Sequence, residues 1–402
     1  MNTLKFGNGE WYGKKDTILA YNDENSNFKP LPFNFERDTL ATRVNKDGLI
    51  ETVGSGEPRI DYKDDSKGAL LLEPNRSNVL PYSSDFSQWS TASGASVVGN
   101  KLGVGGSNDA FEFFSDGTSS TRLFYAVSIT GESSYSLFAK KNTLDYISLY
   151  ANDDSNARVW FNLDNGTLGN QEGGGTGVIE DYGNGWYRCT LKWTSSNLVN
   201  VRIYNSNEND VVGGTAGSVY IQYAQLEQGS YPTSYIPTQG GVVTRVLDAS
   251  SQTVPSNVKI ENQGSLYFEF NSSYLEAYSQ RILTISEDVS NLIEFQLASA
   301  NLLTFVLVKS GQSGVVITKS APSITLGENT KIAAAFSNGD FVFYVNGTLI
   351  GTDTDPSKSV PTISDIKFSR YNSTTAFIGS VNNLKLYNTR LSNAELQALT
   401  QI

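Results

Sequence analysis

The sequence contains no histidine, which removes the Ser-His-Asp triad, the Cys-His dyad and the usual zinc ligands together. It has one cysteine, Cys189, so no intrachain disulfide forms and the chain is not built around an oxidising compartment. Its one methionine is Met1, and the stretch after it, NTLKFGNGEWYGKKD, holds no apolar run. That stretch predicts neither a signal peptide nor a membrane anchor. Charge is also scarce, at 18% of residues against ~25% in an average soluble domain. The balance is acidic, with a formal net charge of −11, and no basic stripe is present. Nucleic acid is therefore not expected as a partner and an anionic membrane surface is disfavoured; with no apolar run after Met1, membrane insertion is not expected either.

What fills the space is β-forming and turn-forming sequence. Aromatic residues make up 11% of the chain, and there are 36 glycines. This composition predicts an all-β protein with two consecutive antiparallel β-sandwiches after an irregular N-terminal segment. Residues 1–78 form that segment, punctuated by Pro30, Pro32, Pro58 and Pro74, with Ala69-Leu70-Leu71-Leu72 as its one strongly apolar stretch. Too little apolar surface is present for it to build its own core, so it orders on partner chains or on the domain that follows. Residues 79–237 carry short alternating runs such as YISLY (146–150), ARVWFNL (157–163) and WYRCTLKW (186–193), parted by turns such as Gly183-Asn184-Gly185. A linker spans 238–258. Residues 259–402 form the second sandwich, with Asn338-Gly339 and Asn346-Gly347 as hairpin turns. One helix is predicted at the C-terminus, where Ser392 and Glu395 form a capping box flanked by Leu391 and Leu396, and it is expected to pack on the strand 381–387.

Side chains alternate across a strand, so each run of the first sandwich divides into two faces. Val159, Phe161, Leu163, Ile147, Leu149, Val199, Val201, Ile203, Tyr187, Cys189, Leu191 and Trp193 form the inward set. Cys189 is then a small core residue and not a nucleophile. The outward set supplies a candidate ligand face of Tyr146, Tyr150, Arg158, Trp160, Asn162, Trp186, Arg202 and Tyr204. Rings stack on sugar faces while Arg and Asn serve hydroxyls. The plainer alternative is that these strands lie in different sheets, or that loops cover the rings.

Two stretches resemble a known family. TRVNKDGLIETV (42–53), EPRIDY (57–62) and GALLLEPNRSN (68–78) are similar to a segment of tail-fibre and other fibre-like virion proteins of tailed bacteriophages. There it precedes a module opening like LPYSSDFSQW (80–89) and closing like YIQYAQLEQGSYPTSYIPT (220–238), a jelly-roll of the carbohydrate-binding kind. The last 140 or so residues resemble the laminin-G/concanavalin-A-like lectin superfamily, through YVNGTLIG (344–351) and IGSVNNLKLYNTRLSNAEL (378–396). The resemblance implies a virion fibre or decoration protein, made in the host cytoplasm. It would be anchored to other virion proteins through its N-terminal segment, assembled as a homotrimer, and would present two sandwiches to host-surface glycans. A purely structural role packing against neighbouring subunits is the alternative, and a polysaccharide depolymerase a remote one.

Catalysis finds no support in the carboxylates. Asp153-Asp154, Asp64-Asp65 and Glu287-Asp288 are neighbours in turns, and consecutive strand residues face opposite ways, whereas a glycosidase needs two carboxyls ~5–9.5 Å apart across a cleft. The E-x-D-x-x-E strand of glycosidases sharing the concanavalin fold is absent. No catalytic residue, no cofactor and no metal ligand is assigned. A structural calcium is the one ion considered, because in calcium-binding jelly-rolls it pins the first strand to the last, here through Asp85 and Gln222 or Glu227.

Overall fold

The computed structural model describes every residue except 1–2, 25–26, 93, 197, 212–213, 273–279, 299–301, 319–323, 326 and 370–376. Nearly all regular structure among the described residues is antiparallel β. The chain forms two compact units, and it passes between them repeatedly. Residues 1–40, 53–74 and 246–402 make one, and residues 41–52 and 75–245 make the other.

This division corrects the N-terminal reading. Residues 1–78 are not a separate segment. Strand Thr3–Gly7 pairs with Gly379–Tyr387, setting Leu4 opposite Leu386 and Phe6 opposite Leu384. The hairpin of Thr17–Glu24 and Asn27–Glu36 joins the same network, as does Ala69–Leu72. Phe6, Phe33, Leu70 and Leu72 are buried in one core with Phe268, Phe295 and Phe343. The apolar content that looked too small for a core is one wall of a larger one. The expected linker at 238–258 is likewise structured. Val243–Arg245 pairs with Arg76–Asn78 in the second unit, and Ala249–Thr253 pairs with Asn27–Glu36 in the first.

In the first unit both Asn-Gly hairpins form as read, with Ser337 opposite Asp340 and Val345 opposite Thr348. At the second turn Asn346 and Gly347 both have positive φ, as a two-residue hairpin loop of the mirror-image type demands. The helix Asn393–Thr400 begins at Ser392 with the complete capping box. Leu391 and Leu396 are both buried, but against Tyr267, Ala333, Ala335 and Val342. The helix thus packs chiefly on the strands Asn329–Ser337 and Asp340–Val345, and of the expected strand 381–387 it meets the end, where Tyr387 packs on the same cluster.

The second unit is a sandwich of two six-stranded sheets. One runs in the order Ser90–Ala92, Arg122–Ser128, Leu198–Ser206, Tyr146–Asn152, Ala157–Asn162, Thr167–Glu172. The other runs Ala95–Lys101, Ala110–Asp116, Ala216–Gln228, Gly131–Lys141, Trp186–Ser195, Thr176–Asp181. The inward residues expected from alternation meet between them: Ile147, Leu149, Val159, Phe161, Val201 and Ile203 from one sheet, Cys189 and Leu191 from the other. Tyr187 packs on this core while remaining half-buried. Cys189 is a free, fully buried thiol, and burial pushes its pKa well above the ordinary thiol value. A core residue of that kind does not act as a nucleophile.

Candidate functional site

The two outward faces of this sandwich differ, and both carry residues of the expected ligand face. On the first sheet the register places Tyr150 beside Arg158 and Arg202, Ser148 beside Trp160 and Tyr204, and Tyr146 beside Asn162. Tyr146, Tyr150, Arg158, Trp160, Asn162, Arg202 and Tyr204 therefore share one face, as alternation required. Trp186 belongs to the other sheet.

Sharing a face did not leave all of them open to solvent. Trp160 is 1% exposed and Tyr204 4%. The Trp160 indole Nε1 donates to the Val211 carbonyl at 3.0 Å, and Asn170 N and Nδ2 donate to Asn209 and Asp210 at 2.8 and 2.9 Å, holding the preceding residues in place. The expectation of a wet Trp160 platform is therefore corrected: a loop covers the ring. Its residues Asn207-Glu208-Asn209-Asp210 are all polar, and nothing local told of the indole beneath.

What remains open is a ladder of cations on rings. The Arg158 guanidinium lies over Tyr150 at 4.0 Å, with Trp160 and Tyr204 at 5.1 and 5.2 Å. Arg202 lies over Tyr150 at 5.4 Å and Arg122 over Phe124 at 5.6 Å. Asn162 Nδ2 donates to the Tyr146 hydroxyl at 2.9 Å, and the Tyr150 hydroxyl donates to Asn156. Tyr150, Arg158 and Arg202 stay half-exposed.

The second sheet carries a cavity of about 250 Å³. Its floor is a row crossing adjacent strands, because Lys140 pairs with Trp186 on one side and Tyr220 on the other. The walls are Leu102 and Val104 of the loop after Ala95–Lys101, Leu49 of the 41–52 hairpin, and the turn Tyr182-Gly183-Asn184. Gly183, Asn184 and Gly185 all take positive φ, which folds that turn back over the strand it opens. Tyr182 meets Phe138 edge-on at 4.8 Å, and Phe138 and Trp186 are buried together.

Two lysines line this cavity. Lys140 Nζ donates to the Asn184 carbonyl at 2.6 Å, and Lys101 Nζ pairs with Glu112 Oε2 at 2.7 Å. Partial burial raises the Glu112 carboxyl, but hydrogen bonds from Lys101 and Ser218 outweigh it and hold the group below the usual carboxylate range. It is an ionised partner that pins Lys101. Aromatic rings, two lysines and the Gly-Asn-Gly turn therefore line one concave site. Trp186 was the one member singled out by sequence. Tyr182 and Tyr220 were missed, although Tyr182 immediately precedes the Gly-Asn-Gly turn and Tyr220 alternates with inward Val219 and Ile221.

The residues considered for calcium do not converge. Asp85 caps the short 3-10 helix Phe86–Gln88, Gln222 is held by Asp109, and Glu227 accepts from Thr233 and Gln225. Among the described residues no group of three acidic or cysteine side chains is placed to hold a metal.

Comparison with known proteins adds a family for part of the chain. Residues 247–397 match the model of the concanavalin A-like lectin/glucanases superfamily. The match falls in the unit that contains residues 246–402, whose antiparallel β architecture fits that fold. No curated protein matches the sequence. Among solved structures, the CBM40 of the Ruminococcus gnavus IT-sialidase, bound to α2,3-sialyllactose, is 17% identical over 36% of this chain and 86% of its own, at a TM-score of 0.32. Domain 4 of a Geobacillus stearothermophilus extracellular arabinanase, in complex with arabinotriose, is 18% identical over 43% and 84%, at 0.33. A heptameric pentraxin from Limulus polyphemus is 14% identical over 37% and 73%, at 0.30. At such TM-scores the likeness carries nothing about what this chain binds.

Proposed function

We propose that this chain is a glycan-binding adhesion protein of a tailed-phage virion, and that the jelly-roll cavity beside Trp186 takes one sugar residue of a host-surface glycan. The observation that carries the binding role is the cavity itself, a concave, largely apolar site lined by Tyr182, Trp186, Tyr220, Lys101 and Lys140. The match of residues 247–397 to a lectin-containing superfamily agrees with it, although that sandwich hosts several functions. The virion assignment rests on the resemblance of residues 42–78 and of the module ends 80–89 and 220–238 to fibre-type proteins. Under this reading the protein is a non-enzymatic binder, needs no cofactor, and assembles as a homotrimer with other virion proteins.

A glycan array probed with the full chain tests the binding role. Wild type is expected to bind a restricted set of glycans, and Tyr182→Ala and Tyr220→Ala to lose that binding while melting near the wild-type temperature. Both rings are half-buried against the small Phe138–Trp186 cluster, outside the main core between the sheets. A blank array, or variants that bind as well as wild type, sinks the cavity assignment. Release of reducing sugars from a bound glycan would turn the reading towards a depolymerase.

A further inference from the structure

We propose that the outward face of the jelly-roll's first sheet is a second binding surface, which holds an acidic polysaccharide along a row of unpaired arginines. The surface lies on the sheet opposite the cavity, and the proposal does not depend on the cavity's ligand.

The row follows from the register. Phe124 stands opposite Arg202, Arg202 opposite Tyr150, and Tyr150 opposite Arg158. Ring and cation alternate across four adjacent strands. None of Arg122, Arg158 and Arg202 meets a carboxylate among the described residues, and the Nε of each is buried without a hydrogen-bond partner. Arg202 Nη1 reaches only the Tyr204 hydroxyl at 3.4 Å, and Arg122 Nη1 only the Ser120 carbonyl at 3.1 Å. Glu172, opposite Arg158, accepts instead from Asn170 at 3.4 Å. Carboxylates are not in short supply, since the chain has 41 acidic residues to 30 basic ones. Arg37, Arg43, Arg59 and Arg390 each have one.

A guanidinium held over a ring by cation–π attraction, with no carboxylate partner, keeps its planar fork of donors for a carboxylate from outside. Spacing selects the occupant. Arg202 and Arg158 stand on strands two apart, so their backbones are ~9.5 Å apart at ~4.8 Å per strand, with the Tyr150 strand between them. That is close to the length of one disaccharide, and the Tyr150 ring is the one both cations contact. An extended acidic peptide repeats same-face carboxylates every ~6.6 Å and falls out of step. The row therefore fits a polymer in which every second sugar carries a carboxylate.

Isothermal titration of the full chain with an octasaccharide of alternating glucuronic acid and N-acetylglucosamine tests this. Binding is expected, weakening as salt is raised, and it should vanish for the carboxyl-reduced octasaccharide. Arg158→Gln and Arg202→Gln should each weaken it about tenfold, the usual scale for losing a hydrogen bond to a charged group. Tyr220→Ala, a cavity variant, should leave it unchanged, so the two sites fail separately. If Arg158→Gln does not fold, Arg202→Gln and Arg158→Lys, which keeps the charge and loses the fork, carry the test. Equal binding of the carboxyl-reduced sugar, folded variants that bind like wild type, or no binding at all overturns the proposal. So does equally tight binding of poly-L-glutamate, which would make the face a docking surface for acidic protein.

Discussion

Arginine does opposite work in the two sandwiches. In the concanavalin-like unit Arg37 and Arg59 are fully buried, and both converge on Asp248, with Arg37 Nη1 at 3.1 Å from Oδ1 and Arg59 bound to Oδ2. Arg59 also meets Glu73 at 2.5 Å. These carboxylates outweigh burial and push the Arg59 pKa further above its ordinary value. In the jelly-roll Arg158 and Arg202 stack on half-exposed rings and meet no carboxylate among the described residues. A guanidinium removed from water requires an anion built into the fold. One left at the surface on an aromatic face can be held without one, and its fork stays available.

The largest effect should come from breaking the wall that the N-terminus gives the concanavalin-like unit. Deleting residues 1–40 removes strand Thr3–Gly7, the hairpin after it and the buried Arg37. That unit is expected to lose its cooperative melting transition while the jelly-roll keeps its own, as followed by calorimetry. A truncated chain showing both transitions would restore the N-terminal segment to a detachable anchor.

Next come two point substitutions of similar size. Asp248→Asn leaves two buried guanidiniums short of their anion and should cost about 3–5 kcal/mol, the range for breaking a buried ion pair. Trp160→Ala should also cost about 3–5 kcal/mol, as for other buried Trp or Phe truncations, because the ring is covered and its indole bonded. Urea denaturation should assign the first loss to the concanavalin-like unit and the second to the jelly-roll. A Trp160→Ala variant as stable as wild type would mean that the ring is open after all.

The smallest effect sharpens the contrast. Arg158→Gln removes three cation–π contacts worth about 0.5–1 kcal/mol each at exposed sites, so its stability should fall by about 1.5–3 kcal/mol. A loss as large as that of Asp248→Asn would show that Arg158 is a structural cation like Arg59.

Much of the architecture was legible because it is written locally. The alternation in 146–150, 157–163 and 199–204 identified the buried face of each strand, and the capping box of Ser392 and Glu395 marked the helix start. The candidate site was legible only in part. Period two predicted that Tyr150, Arg158 and Arg202 point away from the core, but not that their strands would be neighbours. The cavity depends on a hairpin at 41–52 meeting a turn at 182–185, and no pattern within either segment announces the other.

By itself the sequence determined the fold class, the inward faces, the hairpin turns and the exclusion of histidine-dependent chemistry, because each depends on residue type and on spacing over a few positions. Only the tertiary structure decided which chain segments share a core, which rings are covered and which arginines are left without an anion. Leu4 meets Leu386, and Arg59 meets Asp248. Contacts at such separations are selected by the free energy of burying whole faces together, and that quantity is not carried by either segment alone.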